Sequence, residues 1–423
     1  MPGPRALRCQ GTACIDISAI LGGAGIFTIG RRWPPGKGNE YTKKGRGSCG
    51  SLDGVFTGPY LNDFAALPTT DRNQVRATLI DHLSNANSPL FTNTELANEA
   101  FIPLKNVQMH MPVHVSGYSD FFGSYVHAEN GCRGLRIPVP DRFYQYPMGY
   151  NGRCSSVAVS GTDVERPFGF FRPDSTEETR YQATQRLDFE VEIAAIVAQG
   201  IELNNTVTAK QASDHIFGYV LLNDWSARDL QVYEMPPFGP FHSKAFLSSI
   251  SPWVVTLEAL KGSPAKPPPT IKSCVHPILD LDETNHGVFN VDLTARVSRS
   301  NGSAETEIVR TNWADAYWSM YSILAYQASS GCGLGTGDLL GSGTLSSPDP
   351  RPPQGAGEKS YTTFGCLAEV QTVGHNLPDV GGEKFEWLED GDRLTIDGWF
   401  TAPDGSRAGF GGVAGTVKPA RRH

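Results

Sequence analysis

Residues 187–194 read Leu-Asp-Phe-Glu-Val-Glu-Ile-Ala, a strict alternation of apolar and acidic side chains. Successive side chains of a β-strand point to opposite faces, so this period of two commits the segment to a strand and sorts it by chemistry. Leu187, Phe189, Val191 and Ile193 share one face, and Asp188, Glu190 and Glu192 share the other. Carboxylates in such a row stand roughly 7 Å apart at a rise of ~3.4 Å per residue. They repel one another unless water screens them or a cation joins them. Taken alone, the segment reads as a solvent-facing strand.

The same period recurs in VFNVDLTARV, which puts Phe289, Val291, Leu293 and Ala295 on one face, and DRLTIDGWF is a further strand. With 46 glycines and 30 prolines to make turns, strand-dominated order of this kind indicates a mainly β domain with some α structure and a curled or barrel-like sheet. Two helices interrupt it. In TTDRNQVRATLIDHLSN, Val75, Leu79 and Leu83 recur at helical spacing behind a Thr70 cap. In NWADAYWSMYSILAYQASSG, the spacing predicts a helix capped by Asn312 and stopped at Gly331. Its stripe of Trp313, Tyr317, Met320, Tyr321 and Leu324 reads as core. A length of 423 residues sets an expectation of two or three domains. A boundary near Asn106 separates residues 1–106 from a larger domain at 107–423. The first 57 residues show little periodicity, and a basic, Gly-rich insert at about 30–52 reads as loop.

Net charge is -8 and no long basic run is present, which argues against nucleic-acid binding. No stretch approaches the ~20 apolar residues of a membrane span. The largely apolar residues 17–29 are broken by glycine and lack a small-residue cleavage site, so no targeting role is expected there. The eight cysteines (Cys9, Cys14, Cys49, Cys132, Cys154, Cys274, Cys332, Cys366) form no C-x-x-C pair. They read as free thiols in a reducing, cytoplasmic setting rather than a zinc framework.

Further acids stand at strand ends. Asp224 follows the apolar run Tyr219 to Leu222, where a strand opens into a loop, and Asp120 precedes His127 by seven residues in SDFFGSYVHAEN. Together Asp120, Glu190, Glu192 and Asp224 would make a hard, all-oxygen site that suits calcium or magnesium better than zinc. No EF-hand spacing occurs, so such ligands must converge from separate segments.

The segments GYSDFF, GYNGRCSSVAVSGT, LDFEVEIA, IFGYVLLNDWSARDLQ, GPFHSKAF, ISPWVV, GDLLGSGTLSSPDP and LEDGDRLTIDG occur in this order. In them the chain, from about Val55 onward, resembles the fumarylacetoacetase family. The resemblance implies an SH3-like N-terminal barrel, incomplete here, joined to a C-terminal mixed β-roll, and a homodimer. It implies metal ligation by Asp120, Glu190, Glu192 and Asp224. A second, structural magnesium would use Asp224, the Lys244 backbone and Ser248. His127 falls on the family's catalytic base and Glu369 on the acid that orients it. Arg228, Gln231 and Lys244 fall on the oxyanion-stabilising set. Arg133, Tyr150 and Thr344, with Gln231, fall on substrate-contacting positions. The implied reaction is hydrolysis of 4-fumarylacetoacetate to fumarate and acetoacetate, the last step of tyrosine and phenylalanine breakdown, with calcium and magnesium as cofactors.

The chain departs from the family pattern at three places. Phe122 and Met235 stand where substrate-contacting tyrosines are expected, removing two hydroxyls that Tyr125 or Tyr233 would have to replace. The segment between His127 and Arg133 is three residues short. The N-terminal opening is missing and the basic insert has no counterpart. These departures keep open a related diketo-acid substrate, a decarboxylase or isomerase on the same scaffold, and a catalytically silent metal-binding protein.

Overall fold

The computed structural model describes residues 13–15, 55, 56, 58–134, 136–173, 178–265, 276–281, 286–348, 361–374 and 377–421. The basic insert, residues 17–29, and Cys9, Cys49 and Cys274 lie outside them. The chain forms two compact units, residues 1–114 and 115–423.

In the first unit the amphipathic pattern gives the helix Thr69–Ser84. Its start differs from the sequence reading: Pro68 takes the cap position with extended backbone, no side chain caps it, and Thr70 lies inside the first turn. The buried Arg72 binds there instead, donating to Ala65 O at 3.0 Å and to Thr69 Oγ1 at 2.9 Å. Asn93 caps the next full helix, Thr94–Ala100, by accepting from the N–H groups of Glu95 and Leu96. The strand Phe101–Pro103 then pairs antiparallel with Ala13–Ile15.

The second unit is built on two mixed sheets. The larger has eight strands. Seven run in the order Gly149–Asn151, Tyr118–Phe121, Leu339–Gly341, Val191–Val197, Ile216–Asp224, Ser248–Ile250, Val157–Val159, and Val255–Thr256 joins Ile216–Asp224. Two of its pairings are parallel, Leu339–Gly341 with Tyr118–Phe121 and Ser248–Ile250 with Val157–Val159. The second sheet orders Thr306–Asn312, Asp292–Ser298, Arg393–Thr401, Arg407–Lys418 and Val164–Glu165. Tyr219 and Leu221 from the first sheet share one core with Leu293, Ile396, Phe410 and Val413 from the second. Burying each such side chain contributes about 1.5–3 kcal/mol relative to exposure. The faces pack closely at Gly398, where an added Cβ would lie 2.8 Å from Leu221 Cδ2.

The aromatic and methionine stripe is core: Trp313, Tyr317, Met320, Tyr321 and Leu324 are all buried. Its helix starts later than the sequence indicated. Asn312 caps only the 3₁₀ turn Trp313–Asp315, because Ala316 is extended (φ -64, ψ 135) and interrupts the winding. The helix proper is Met320–Ser329, capped by Ser319, and Gly331 with φ +76 ends it. Among the described residues no helix is long and apolar enough to cross a membrane.

Candidate functional site

The solvent-facing reading of residues 187–194 is overturned. Asp188, Glu190 and Glu192 are all buried, as is every residue of Val191–Val197. The strand lies inside the large sheet, between Leu339–Gly341 and Ile216–Asp224, so both its edges are paired, and the burial of successive residues covers both its faces. Its acids therefore face protein.

Register delivers the other acids to the same place. Asp120 lies opposite Tyr150 on one side and Gly341 on the other. Asp224, the last residue of Ile216–Asp224, lies opposite Ser248. The close approach requires glycine at Gly341, since a Cβ there would land on Asp120 Oδ1. Gly343, with φ +74, turns the chain so that its N–H donates to Glu192 Oε2 at 3.1 Å. One carboxylate oxygen from each of Asp120, Glu190 and Glu192 lies within 4.8 Å of the other two.

Asp224 is held differently. Tyr150 Oη donates to its Oδ2 at 2.7 Å, Lys244 Nζ to Oδ2 at 2.9 Å, and Ser248 Oγ to Oδ1 at 2.8 Å. The Lys244 ammonium also donates to Glu190 Oε2, so it bridges the two carboxylates. Arg228 reaches Glu190 from the other side, with Nη1 2.9 Å from Oε1, and Nη1 also donates to Gln231 Oε1 at 2.9 Å. Its Nε donates to Asp188 Oδ2 at 2.9 Å. Arg228 Nη2, Thr344 Oγ1 and Glu192 Oε1 are buried with no hydrogen-bond partner.

Two buried cations thus face five buried carboxylates, and the ionisation of the acids reflects it. Burial pushes Asp120 up to about 8, reinforced by the Asp224 charge. Burial also raises Glu192 well above its usual range, reinforced by Asp120. Burial pushes Glu190 upward too, but Lys244 and then Arg228 hold it well below the carboxylate range. Lys244 stays protonated: burial opposes its charge, and Asp224 and Glu190 more than restore it. An orphaned Glu192 oxygen and acids too crowded to ionise together fit a hard divalent cation, which prefers oxygen ligands. Asp120, Glu190 and Glu192 form the open group, while Asp224 and Ser248 are already bonded to each other.

His127 lies in the first turn of the helix Tyr125–Gly134, where its N–H donates to Ser124 Oγ at 3.3 Å. Its Nδ1 is 2.9 Å from Oε2 of Glu369, which belongs to the helix Leu367–Val373 packed alongside. Glu369 is buried and also accepts from Asn130 Nδ2 at 2.9 Å and Ser346 Oγ at 2.8 Å, while Cys366 Sγ lies 3.3 Å from its Oε2. Burial works against its charge, but His127, Asn130 and Ser346 together keep its pKa below the usual value. Nδ1 faces Glu369, so Nε2 of His127 is the nitrogen left for chemistry. Phe122 meets the imidazole edge-on, at 4.9 Å between ring centres.

Not every sequence-predicted residue joins this group. Arg133 is 56% exposed and faces Glu129 at 4.0 Å on its own helix. Met235 follows the helix Arg228–Glu234 and is exposed. Neither tyrosine offered as a substitute is idle: Tyr233 Oη lies 2.6 Å from Thr179 Oγ1, and Tyr125 Oη donates to Glu129 at 3.4 Å. Sequence reasoning missed Asn130, Ser346 and Cys366, whose spacing carries no signal. It also passed over the bonding of Asp188.

An imidazole facing a buried carboxylate shares the second unit with an acidic cradle at the strand ends of a curled mixed sheet, an arrangement suited to hydrolytic chemistry. The family description "Fumarylacetoacetate (FAA) hydrolase C-terminal" matches residues 118–418, and "Fumarylacetoacetase N-terminal" matches residues 39–112. The chain belongs to the fumarylacetoacetase family and is a hydrolase acting on carbon–carbon bonds. It is 37% identical to the fumarylacetoacetase of Bos taurus, over 86% of this chain and 85% of the relative. It is 36% identical to that of Arabidopsis thaliana over 86% and 84%, and 35% identical to that of Oryza sativa subsp. japonica over 99% and 90%. Among solved structures, the fumarylacetoacetate hydrolase of Exiguobacterium antarcticum is 20% identical, with a TM-score of 0.43 over 74% of this chain and 79% of that one.

Proposed function

We propose that this hydrolase cleaves the C–C bond of a β-diketone acid, 4-fumarylacetoacetate, adding water to give fumarate and acetoacetate. The observation that carries the reading is the 2.9 Å contact of His127 Nδ1 with a buried, ionised Glu369. Water is a poor nucleophile at neutral pH, and this pair fixes the imidazole so that Nε2 can take a proton from it. The resulting hydroxide adds to the carbonyl carbon, and Arg228, Gln231 and Lys244 are the donors to the oxyanion. The C–C bond then breaks with its electron pair going to the departing carbon, and a proton returned there completes the second acid. Asp120, Glu190, Glu192 and Asp224 would hold a divalent cation, calcium or magnesium. When bound, it supplies positive charge that lets the departing carbanion form as an enolate. The backbone of Lys244 and the side chain of Ser248, with Asp224, are the proposed ligands of a second, structural magnesium. Tyr150, Thr344 and Arg133 are proposed to contact substrate.

A related diketo acid is the second reading, favoured by two positions. Phe122 presents an apolar edge to His127, and Met235 is exposed. We further propose an SH3-like barrel in residues 1–106, a catalytic domain from 107 onward, a homodimer, and a role in tyrosine breakdown. A cytoplasmic setting accords with Cys132, Cys154, Cys332 and Cys366 all being free thiols.

The test is purified protein supplied with calcium or magnesium and given fumarylacetoacetate and a panel of acylpyruvates. Loss of the diketone ultraviolet band with release of two acids is expected; release of CO₂ instead would refute hydrolysis. His127→Ala is expected to abolish turnover and leave cation binding in place.

A further inference from the structure

Asp188 begins the row of acids in residues 187–194 but stands outside the open acidic group. The strand explains why. Regular pairing stops at Leu187–Asp188 and resumes at Val191, and Leu187–Asp188 pairs not with Ile216–Asp224 but with Ser226–Ala227. The carboxylate therefore meets a different set of donors. Oδ1 accepts from Phe189 N at 2.8 Å and Leu367 N at 3.0 Å. Oδ2 accepts from Ala368 N at 2.9 Å and Arg228 Nε at 2.9 Å. Four donors occupy one fully buried carboxylate, which leaves it no lone pair for a metal.

Two of those donors immediately precede Glu369, the acid that grips His127. Cys366, at the cap position of that helix, offers no side-chain cap of its own, so the carboxylate of Asp188 does this work from another strand. A third donor is Arg228, whose Nη1 reaches both Glu190 and Gln231. The backbone reinforces the joint, since Arg228 N donates to Arg186 O at 2.9 Å. One anion is thus bonded at once to the segment that carries Glu369 and to the guanidinium that holds Glu190.

We infer that Asp188 is a positioning residue that locks the His127–Glu369 pair and the Arg228 cation into one frame. This rests on the hydrolase reading above. Hydrogen bonds to a charged carboxylate are the strong ones. A misplacement of about 1 Å in a reacting group lowers a rate by roughly 10²-fold. Asp188→Asn keeps the size but gives up the charge and turns one acceptor into a donor facing Ala368 N–H or Leu367 N–H.

The experiment combines kinetics with NMR of protein carrying ¹⁵N-histidine. Asp188→Asn is expected to lower kcat by roughly 10²-fold with KM within about threefold. It is also expected to shift or broaden the downfield Nδ1–H resonance of His127, assigned by its loss in His127→Gln. Asp392→Asn serves as control, since Asp392 is a buried acid paired with Arg299 at 2.8 Å and bonded to neither helix of the pair. That change removes a structural ion pair and leaves the His127 resonance in place. Should Asp188→Asn fail to fold, Asp188→Glu keeps the charge and displaces the carboxylate, with the same two readouts. If the wild type turns over no diketo acid but the resonance moves in the Asp188 variant, the hydrolase reading falls and the positioning role stands. An active wild type whose Asp188 variants keep full kcat and an unmoved resonance overturns the positioning role. An inactive wild type with an unmoved resonance overturns both.

Discussion

The acidic cradle and Glu369 are both buried in the second unit, yet they solve the burial of charge in opposite ways. Glu369 is complete in itself: His127, Asn130 and Ser346 satisfy it, and its pKa falls. Asp120 and Glu192 are incomplete: beside one backbone N–H each, other acids crowd them, their pKa values rise, and one Glu192 oxygen has no partner. A burial penalty of several kcal/mol per ion is offset by hydrogen bonds in the first case and is left standing in the second. The contrast marks the oxygens that still lack a counter-charge. A preorganised base needs nothing further, whereas a strained group of oxygens is stable only when positive charge arrives.

The largest effect should come from breaking the complete half. Glu369→Gln leaves an acceptor but removes the charge that holds Nδ1–H, so kcat is expected to fall by roughly 10²–10⁴-fold. Calorimetric titration with calcium should give an affinity within a few-fold of wild type, because Glu369 is not among the cradle oxygens. A comparable loss of cation affinity would erase the distinction between the two regions.

A medium effect should come from the incomplete half, and it has a sign. In the cation-free fold, Asp120 titrates at about 8 rather than 3.8, and Glu192 is raised as well. The folded state then keeps protons that the unfolded chain releases near about pH 4. Its stability is therefore fully present below about pH 4 and is lost as pH rises towards about 8. With a chelator present, Tm should decline across that window. Calcium or magnesium should flatten the decline, since a cation binds the deprotonated carboxylates and competes with protons. Asp338, Asp392 and Asp397 are also raised by burial, but they contribute equally with and without the cation, so the difference isolates the cradle. Glu192→Gln should raise Tm in chelator and weaken cation binding, whereas Glu369→Gln should lower Tm at neutral pH. Matching Tm-against-pH curves with and without cation would sink the account of the cradle.

Much of this contrast could be read in the chain and some could not. The period of two at residues 187–194 placed three acids on one face, and the run ending at Asp224 placed a fourth at a strand end. With Asp120 these acids made a hard-cation site conceivable, but its ligands had to converge from separate segments, which local geometry does not decide. Burial was not legible, since period-two alternation looks the same on an exposed edge as on a central strand flanked by two partners. The satisfaction of Glu369 was illegible for another reason. Asn130 lies 239 positions away and Ser346 lies 23 away, and no local pattern marks such partners. Asp188 combines both failures: it looks like a third ligand in the row, and only the break in strand pairing sends it elsewhere.

The smallest effect should fall on Cys366, where the complete half has its weakest contact. Burial, and then the nearby Glu369 charge, push the thiol well above its usual pKa, so it remains an S–H at neutral pH. At 3.3 Å from Oε2 it is a further side-chain donor to Glu369 beside His127, Asn130 and Ser346. A thiol is a weak donor, so losing it should matter less than losing any of the others. Cys366→Ala is expected to lower kcat by about three- to tenfold, matching a neutral hydrogen bond of about 0.5–1.5 kcal/mol. Cys366→Ser restores a donor of similar size and should recover most of the rate. If Cys366→Ala instead matched Glu369→Gln in severity, the carboxylate would depend on the thiol, and the complete half would be less self-sufficient than its partners imply.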